Sequence, residues 1–355
     1  MCTLLIGTHN GLLVVAENET QTYKTQTHLW PECAVTTLAR GAAGEVVAGL
    51  GAHGVAVSQD GGRTWRRSGP LAATVVSVAI DPHGSGRIVA GCQPPCVLVS
   101  DDAGTRWQLL KDFADLPEAR AWEIPVRDPN KNVVSESAGE GAAIWSLVLD
   151  PHRPSRIIAG VEVGGLVVSD DGGSTWTVSL VGDTPDPHTI CLHPVDANLA
   201  LISTGFSRFT DQPGVFSYAE TGGVYRSTDA MASFSSVWPH DPEPQYTRAM
   251  CIDARAPHAA TVAVRSSYVQ KSNPKGLRRA QLKQSRDAGT TWVNLGDGPF
   301  ASYGEEYSAV VPAPSAANDV YVGTEGGRVF HVDAGLLAWT FVIDAGAGVT
   351  TLLSL

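Results

Sequence analysis

The chain has 355 residues, 43% of them hydrophobic and 17% charged, which supplies a large core and excludes a disordered protein. Its 25 Lys and Arg face 36 Asp and Glu, a formal net charge of −11; nucleic-acid binders concentrate positive charge, so a phosphate backbone is excluded as the main partner. The longest apolar runs, 75–80 and 144–149, are strand-sized and far short of the roughly 20 residues that span a bilayer, so no membrane is expected.

The first residues, Met1-Cys2-Thr3-Leu4-Leu5-Ile6-Gly7, carry no basic leader and run into Thr8-His9-Asn10-Gly11, so the expected location is cytoplasmic. Strands are predicted at 3–7, 11–16 and 22–29. Further along, apolar runs predict strands at 35–39, 75–80, 144–149, 189–192, 248–252, 308–311 and 349–353. Several lead into an Asp-Pro or His-Pro turn and a second apolar run, as Ser77-Val-Ala-Ile80-Asp-Pro82 leads to Arg87-Ile-Val-Ala-Gly91. Six cysteines, Cys2, Cys33, Cys92, Cys96, Cys191 and Cys251, are expected to be reduced thiols in such a compartment. Cys191 and Cys251 read as small core residues. Cys92-Gln-Pro-Pro-Cys96 reads as a turn with two packed thiols, with a metal clip or redox pair as the alternatives.

An octet recurs between these runs: Ser58-Gln-Asp60-Gly-Gly62-Arg-Thr64-Trp65, Ser100-Asp-Asp102-Ala-Gly104-Thr-Arg-Trp107, Ser169-Asp-Asp171-Gly-Gly173-Ser-Thr175-Trp176 and Ser285-Arg-Asp287-Ala-Gly289-Thr-Thr291-Trp292. A degenerate copy, Ser227-Thr-Asp229-Ala-Met-Ala-Ser233-Phe234, lacks the glycine. Asp can hold the turn through backbone N–H groups, Gly supplies a positive φ, and the aromatic ring pins the turn to the next strand. The octet is therefore a hairpin device and not an active site. A four-stranded repeat of about 40 to 55 residues is the signature of a propeller blade.

These octets resemble the Asp box, or BNR repeat, of sialidases, some endoglucanases, sortilin-type receptors and photosystem II assembly-factor propellers. The resemblance implies an all-β, seven-bladed β-propeller over residues 1–355, with the octets on the C-to-D turns. Seven inner strands with nothing after the last imply closure by one blade built from both termini, 1–30 with 347–355. The alternative is six blades and a loose terminal hairpin. Function does not follow from the fold. The sialidase Arg-Ile-Pro motif is absent, so this is not a typical sialidase; xyloglucan-cleaving relatives look like tandem propellers about twice this length, and the basic patch and signal of the assembly factors are missing.

Blade geometry puts B-to-C turns and D-to-A connections on one face. All three long insertions, 111–139, 206–221 and 266–281, fall there, which points to a covered pocket. The segment around Trp122-Glu123-Ile124-Pro125-Val126 reads as a pocket lid or a docking surface. Positions matched between blades place His9, Gly51, Gln93, Glu162, Phe206, Ser266 and Glu325 at the channel mouth, and Thr36, Val76, Trp145, His188, Arg248, Ser308 and Thr350 at the inner-strand starts.

The site reading follows from the charge distribution over that map. Arg208, Arg248 and Arg265 would clamp a carboxylate, sulfate or phosphate, since the guanidinium fork suits oxyanions. Glu162, Glu325, His188 and His9 would serve as general acid and base, with Trp145, Tyr246 and Tyr307 lining the substrate. His9, His53 and Gln93 form the candidate metal set, for no cofactor or one divalent ion; pectate-fragment lyases imply such a His and Gln arrangement. His83, His152, His193 and His258 read as inert residues of the opposite face. Two functions stand open: a hydrolase or lyase for a small anionic molecule, and a non-catalytic scaffold that holds a protein partner on the loop-decorated face.

Overall fold

A computed structural model describes residues 2–18, 22–69, 71, 73–122, 126–127, 133–135, 142–205, 207–209, 216–218, 222–238, 245–266, 280–296, 298 and 305–355. Among these residues the chain forms seven four-stranded antiparallel sheets, the blades of a β-propeller. The inner strands are Thr37–Arg40, Thr74–Ile80, Ile144–Leu149, Pro187–Leu192, Gln245–Asp253, Tyr307–Pro312 and Val349–Ser354. They are numbered here as blades one to seven, and strands within a blade run A to D from the channel outward.

Blade seven closes the ring with strands from both ends of the chain. Val349–Ser354 pairs with Thr3–Thr8, which pairs with Gly11–Glu17 and then Tyr23–Leu29. Closure gives the strands of both termini one shared sheet and leaves only the short inner and outer edges of each blade. Apolar side chains of adjoining blades interdigitate: Val47, Val55 and Val57 of blade one pack on Val75, Ile88 and Leu98 of blade two. The same arrangement recurs around the ring, with Leu4, Ile6 and Val15 of blade seven against Ala309, Tyr321 and Val329 of blade six.

The octets sit between strands C and D and explain their own sequence. In blade one, Ser58 Oγ donates to Asp60 Oδ1 at 2.8 Å and accepts from Gly62 N–H at 2.8 Å. Asp60 Oδ1 also accepts from the N–H groups of Arg63 and Thr64, at 3.0 and 2.8 Å, and Trp65 Nε1 donates to Gly62 O at 3.0 Å. These bonds hold the Asp60 and Asp171 carboxyls well below the usual range, the Thr64 and Thr175 hydroxyls contributing most. Blade four keeps the pattern without glycine: Met231 N–H reaches Ser227 Oγ at 2.8 Å, and Met231 takes φ +74° where the other octets have glycine. A non-glycine residue there costs on the order of 1–2 kcal/mol.

The inner strands share a second device. Ladder pairing skips a residue near the start of the strand in six blades, between Val75 and Ser77, Ile144 and Ser146, Pro187 and Thr189, Thr247 and Met250, Tyr307 and Ala309, and opposite the Gly7–Thr8 step at Val349 and Thr351. A β-bulge leaves its extra residue out of the ladder and re-aims its side chain. The skipped residues are Val76, Trp145, His188, Arg248 with Ala249, Ser308 and Thr350. The bulges therefore create the side-chain layer at the channel mouth.

Hydroxyls near the starts of the inner strands join six of the seven neighbouring blade pairs. Thr36 Oγ1 donates to Val75 O at 2.9 Å, Ser77 Oγ to Ile144 O at 2.5 Å, Thr189 Oγ1 to Arg248 O at 2.9 Å and Ser308 Oγ to Val349 O at 2.5 Å. Thr350 Oγ1 donates to Val35 O, and Ser146 Oγ accepts from Ile190 N–H at 3.0 Å. Blade five carries Arg248 and Ala249 at these positions and has no hydroxyl to offer its neighbour.

The strands that flank the three insertions end on the face reached by B-to-C and D-to-A connections, as the strand order requires. The first contains a helix Lys111–Ala114, a 3-10 turn Pro117–Ala121 and a hairpin of Val126–Arg127 with Val133–Ser135. Phe113 and Trp122 are buried and pack with Trp176 and Leu147. This corrects the lid reading for Trp122, which is a core anchor; residues 123–125 lie outside the described ones. In blade four, Ser207–Phe209 pairs with Phe216–Tyr218. In blade five, residues 267–279 of the third insertion lie outside the described ones.

Candidate active site

The site grows from the start of blade four. Thr184-Pro-Asp186-Pro-His188 enters strand A, and the two-residue spacing in extended chain puts Asp186 and His188 on one side. Both side chains are buried. His188 Nδ1–H donates to Thr247 O at 2.7 Å, which leaves Nε2 facing Tyr246 Oη at 3.1 Å and Asp186 Oδ1 at 3.4 Å. The Tyr246 and His188 rings are 4.7 Å apart. When the imidazole is neutral, Nε2 accepts from the Tyr246 hydroxyl; when it is charged, Nε2–H is directed at Asp186.

Two neighbours fix this arrangement. Thr247 Oγ1 donates to Gly223 O at 2.6 Å and accepts from Thr204 N–H at 3.1 Å, so the carbonyl that orients His188 belongs to a residue tied into blade four. Gly205 lies under the Asp186 carboxylate: a Cβ there would stand 2.0 Å from Asp186 Oδ2 and 2.9 Å from His188 Cε1. Burial alone would lower the His188 pKa, but the charge and hydrogen bond of Asp186 outweigh it and the net direction is upward.

Blade three brings Glu162 and Trp145 to the same place. Burial raises the Glu162 pKa first and the Asp186 carboxylate adds to it. The hydrogen bond from Trp145 and the charges of His188 and Arg248 oppose the rise without cancelling it. Glu162 is thus within electrostatic reach of Asp186, His188 and Arg248. Trp145 is 41% exposed, a large apolar surface open to the mouth. Arg248 reaches across to Glu325 of blade six, Nη1 to Oε1 at 3.2 Å, with the two side chains 46% and 44% exposed. An ion pair so exposed is worth about 0–1 kcal/mol, so its separation costs little.

Six residues expected from sequence therefore meet: Glu162, His188, Trp145, Tyr246, Arg248 and Glu325. His9 is exposed on the turn of blade seven, its N–H on Gly348 O at 3.1 Å. Its ring lies against Gly348, where a Cβ would stand 2.9 Å from His9 Cδ2 and 2.6 Å from Glu325 O. Tyr307 corrects its expectation. It is 3% exposed and stacks on Trp339, ring centroids 5.5 Å apart, in the core shared with Leu282, Leu295 and Val322. Its neighbour Ser308 takes the bulge position. The Arg208 and Arg265 backbones lie on described strands of blades four and five, while their side chains lie outside the description.

His53 is exposed on the blade-one turn and Gln93 pairs with Thr74 in blade two. Among the described residues no group of three or more His, Cys, Asp or Glu side chains could hold a metal ion. On the opposite face, His193 Nδ1 accepts from the N–H groups of Val195 and Asp196, and its Nε2 faces His258 Nδ1 at 3.3 Å. His152 Nε2 meets His193 O at 2.8 Å. These histidines close turns.

Sequence reasoning missed Asp186, Gly205 and Thr247. The Asp186-Pro-His188 spacing was the available signal for the first. For the other two, close approach across the sheet leaves no mark in one sequence.

No protein-family model matches the chain, and no curated protein matches it. Solved structures do match in fold. The GH74 xyloglucanase from Xanthomonas campestris aligns with TM-score 0.66 at 19% identity, over 97% of this chain and 53% of its own. A protein from Lactobacillus plantarum aligns over the whole of both chains, with TM-score 0.59 and 15% identity. YCF48 bound to D1 peptide aligns with TM-score 0.53 at 13% identity, over 97% of this chain and 89% of its own. The chain is a seven-bladed β-propeller. At such identities the likeness carries the fold alone, and the chain spans about half the length of the xyloglucanase. No helix among the described residues is long and apolar enough to cross a membrane.

Proposed function

We propose that the protein is an enzyme, a hydrolase or lyase, acting at the channel mouth on a small molecule that bears a carboxylate, sulfate or phosphate. The observation that carries this reading is the convergence of Glu162, an acid with an upward-shifted pKa, with the Asp186–His188–Tyr246 chain beside the accessible Arg248. Shifted acids and bases gathered in one cleft are what proton-transfer catalysis requires.

In this reading Arg248 takes the anion after Glu325 releases it, and Arg208 and Arg265 complete the clamp from blades four and five. Glu162 gives its proton to the leaving group. A proton taken by the Tyr246 oxygen passes to His188 Nε2, and Asp186 stabilises the resulting imidazolium. Trp145 supplies the apolar wall on which the rest of the substrate lies.

A second reading, a scaffold for a protein partner, is favoured by the exposed Trp145 indole at the same mouth, since aromatic residues anchor protein interfaces. The similar YCF48 structure holds a peptide. One screen separates the two: thermal shift and turnover against a panel of small carboxylates, sulfates and phosphate esters. The enzyme reading expects saturable stabilisation by a panel member, loss with Arg248→Ala, tightening with Glu325→Gln, and turnover abolished but binding retained with Glu162→Gln. A protein indifferent to every anion of the panel overturns it, and a peptide held through Trp145 establishes the scaffold instead.

A further inference from the structure

Blade two carries a thiol pair that the mouth chemistry does not use. Cys92 lies in strand Ile88–Gln93, and Cys96 immediately precedes strand Val97–Ser100. The ladder pairs Val97 with Gly91, so the next rung sets Cys92 directly opposite Cys96, and Cys92 N–H donates to Cys96 O at 3.1 Å. Directly opposed residues of an antiparallel pair hold their Cβ atoms roughly 4.5–5.5 Å apart. A disulfide asks for about 3.5–4.5 Å, so a small closing movement of the turn suffices.

The two thiols differ in the way a redox pair needs. Cys92 is fully buried, within the cluster of Val75, Ala90 and Leu98, whereas Cys96 is half-buried at the edge of that cluster. Proximity to Cys92 draws the Cys96 thiol down, and proximity to Cys96 together with burial pushes the Cys92 thiol up. Burial also raises Cys2, Cys33 and Cys251, and pushes Cys191 up to about 12. The thiolate is the reactive form.

We propose that Cys92 and Cys96 form a redox-active dithiol that a low-molecular-weight disulfide oxidises, with Cys96 as the attacking thiol and Cys92 as the resolving one. The Cys96 thiolate attacks one sulfur of the small disulfide, forming a mixed disulfide and expelling one thiolate, which takes up a proton. Cys92 then loses its proton to solvent and attacks the Cys96 sulfur, expelling the second small thiolate. The pair loses two electrons, the small disulfide gains them, and two small thiols leave. The new bond would close the base of the turn bearing Gln93, Pro94 and Pro95, which stands in the mouth layer of blade two. The proposal holds whether the mouth is catalytic or a docking surface.

The test uses the full chain and oxidised glutathione, followed by alkylation of remaining thiols and peptide mass mapping over time. The expected result is a Cys92–Cys96 cross-link reversed by dithiothreitol, preceded by glutathione on Cys96. Cys92→Ser should hold glutathione stably on Cys96, and Cys96→Ser should leave Cys92 unmodified. Wild-type protein in which both residues remain alkylated after exposure, or in which glutathione appears first on Cys92, overturns the proposal. The wild-type time course decides the matter even where a variant does not fold.

Discussion

Gly205→Ala tests the heart of the site with a single methyl group. The backbone of Gly205 is not in the left-handed region, so alanine meets no conformational penalty there. The new Cβ would lie 2.0 Å from Asp186 Oδ2, and ordinary contact needs roughly 3.2 Å, so the carboxylate must retreat by about 1 Å. That movement lengthens the 3.4 Å approach of Asp186 to His188 Nε2 and removes the influence that outweighs burial. The His188 pKa should then fall from above its ordinary value of 6.5 to below it, and each unit of that fall is about 1.4 kcal/mol. Overpacking itself should cost about 1–3 kcal/mol of stability. The assay is NMR titration of the His188 Cε1–H in wild type and variant, with near-ultraviolet circular dichroism to confirm the fold. A folded variant with an unchanged His188 pKa would refute the claim that Asp186 controls this imidazole.

The pH dependence of stability carries a sign. Glu162 and His188 both have folded pKa values above their unfolded ones, so their contributions are complete below about 4.5 and 6.5 and are lost as pH rises through the folded values. Denaturant unfolding across that range should show this loss, and Glu162→Gln should remove the lower part. The octet carboxylates have the opposite sign: Asp229 and Asp287 are held down at about 2 by hydrogen bonds from Ser233 and Thr291, so their contribution is present above about 4 and lost toward pH 2. Asp287→Asn should shrink that acid-side loss in circular-dichroism titrations. Ser77→Ala should cost about 1–3 kcal/mol in denaturant melts, because Ile144 O loses the Ser77 hydroxyl in a buried setting; a change under 0.3 kcal/mol would show that the hydroxyl does not join the blades. Truncation after Asp344 removes Val349–Ser354 and uncovers the paired edge of Thr3–Thr8, so the shortened chain should aggregate in size-exclusion chromatography where the full chain does not.

Much of this protein is determined locally and was legible in its residues. Ser58-x-Asp60 and its copies specify a turn from atoms within eight positions. Alternating and continuous apolar runs place the seven inner strands, and blade order then fixes the face of each insertion. The strands at 3–7, 11–16 and 22–29, which precede the first inner strand, were legible as the outer part of the blade that Val349–Ser354 completes. The same matching of positions drew Trp145, His188 and Arg248 into one layer, since the bulge recurs at one place in the repeat.

Only the tertiary structure decided what those side chains do. Tyr307 and Tyr246 stand at nearby starts of neighbouring inner strands. One stacks on Trp339 in the core and the other faces His188, because Tyr307 is the last paired residue before the blade-six skip while Tyr246 lies one residue further back, before Thr247, and successive side chains take opposite sides of a strand. The Asp186–His188–Tyr246 chain, the glycine beneath it and the Arg248–Glu325 pair join residues from different blades. Their distances depend on how the blades pack around the channel, and no spacing along the chain records that.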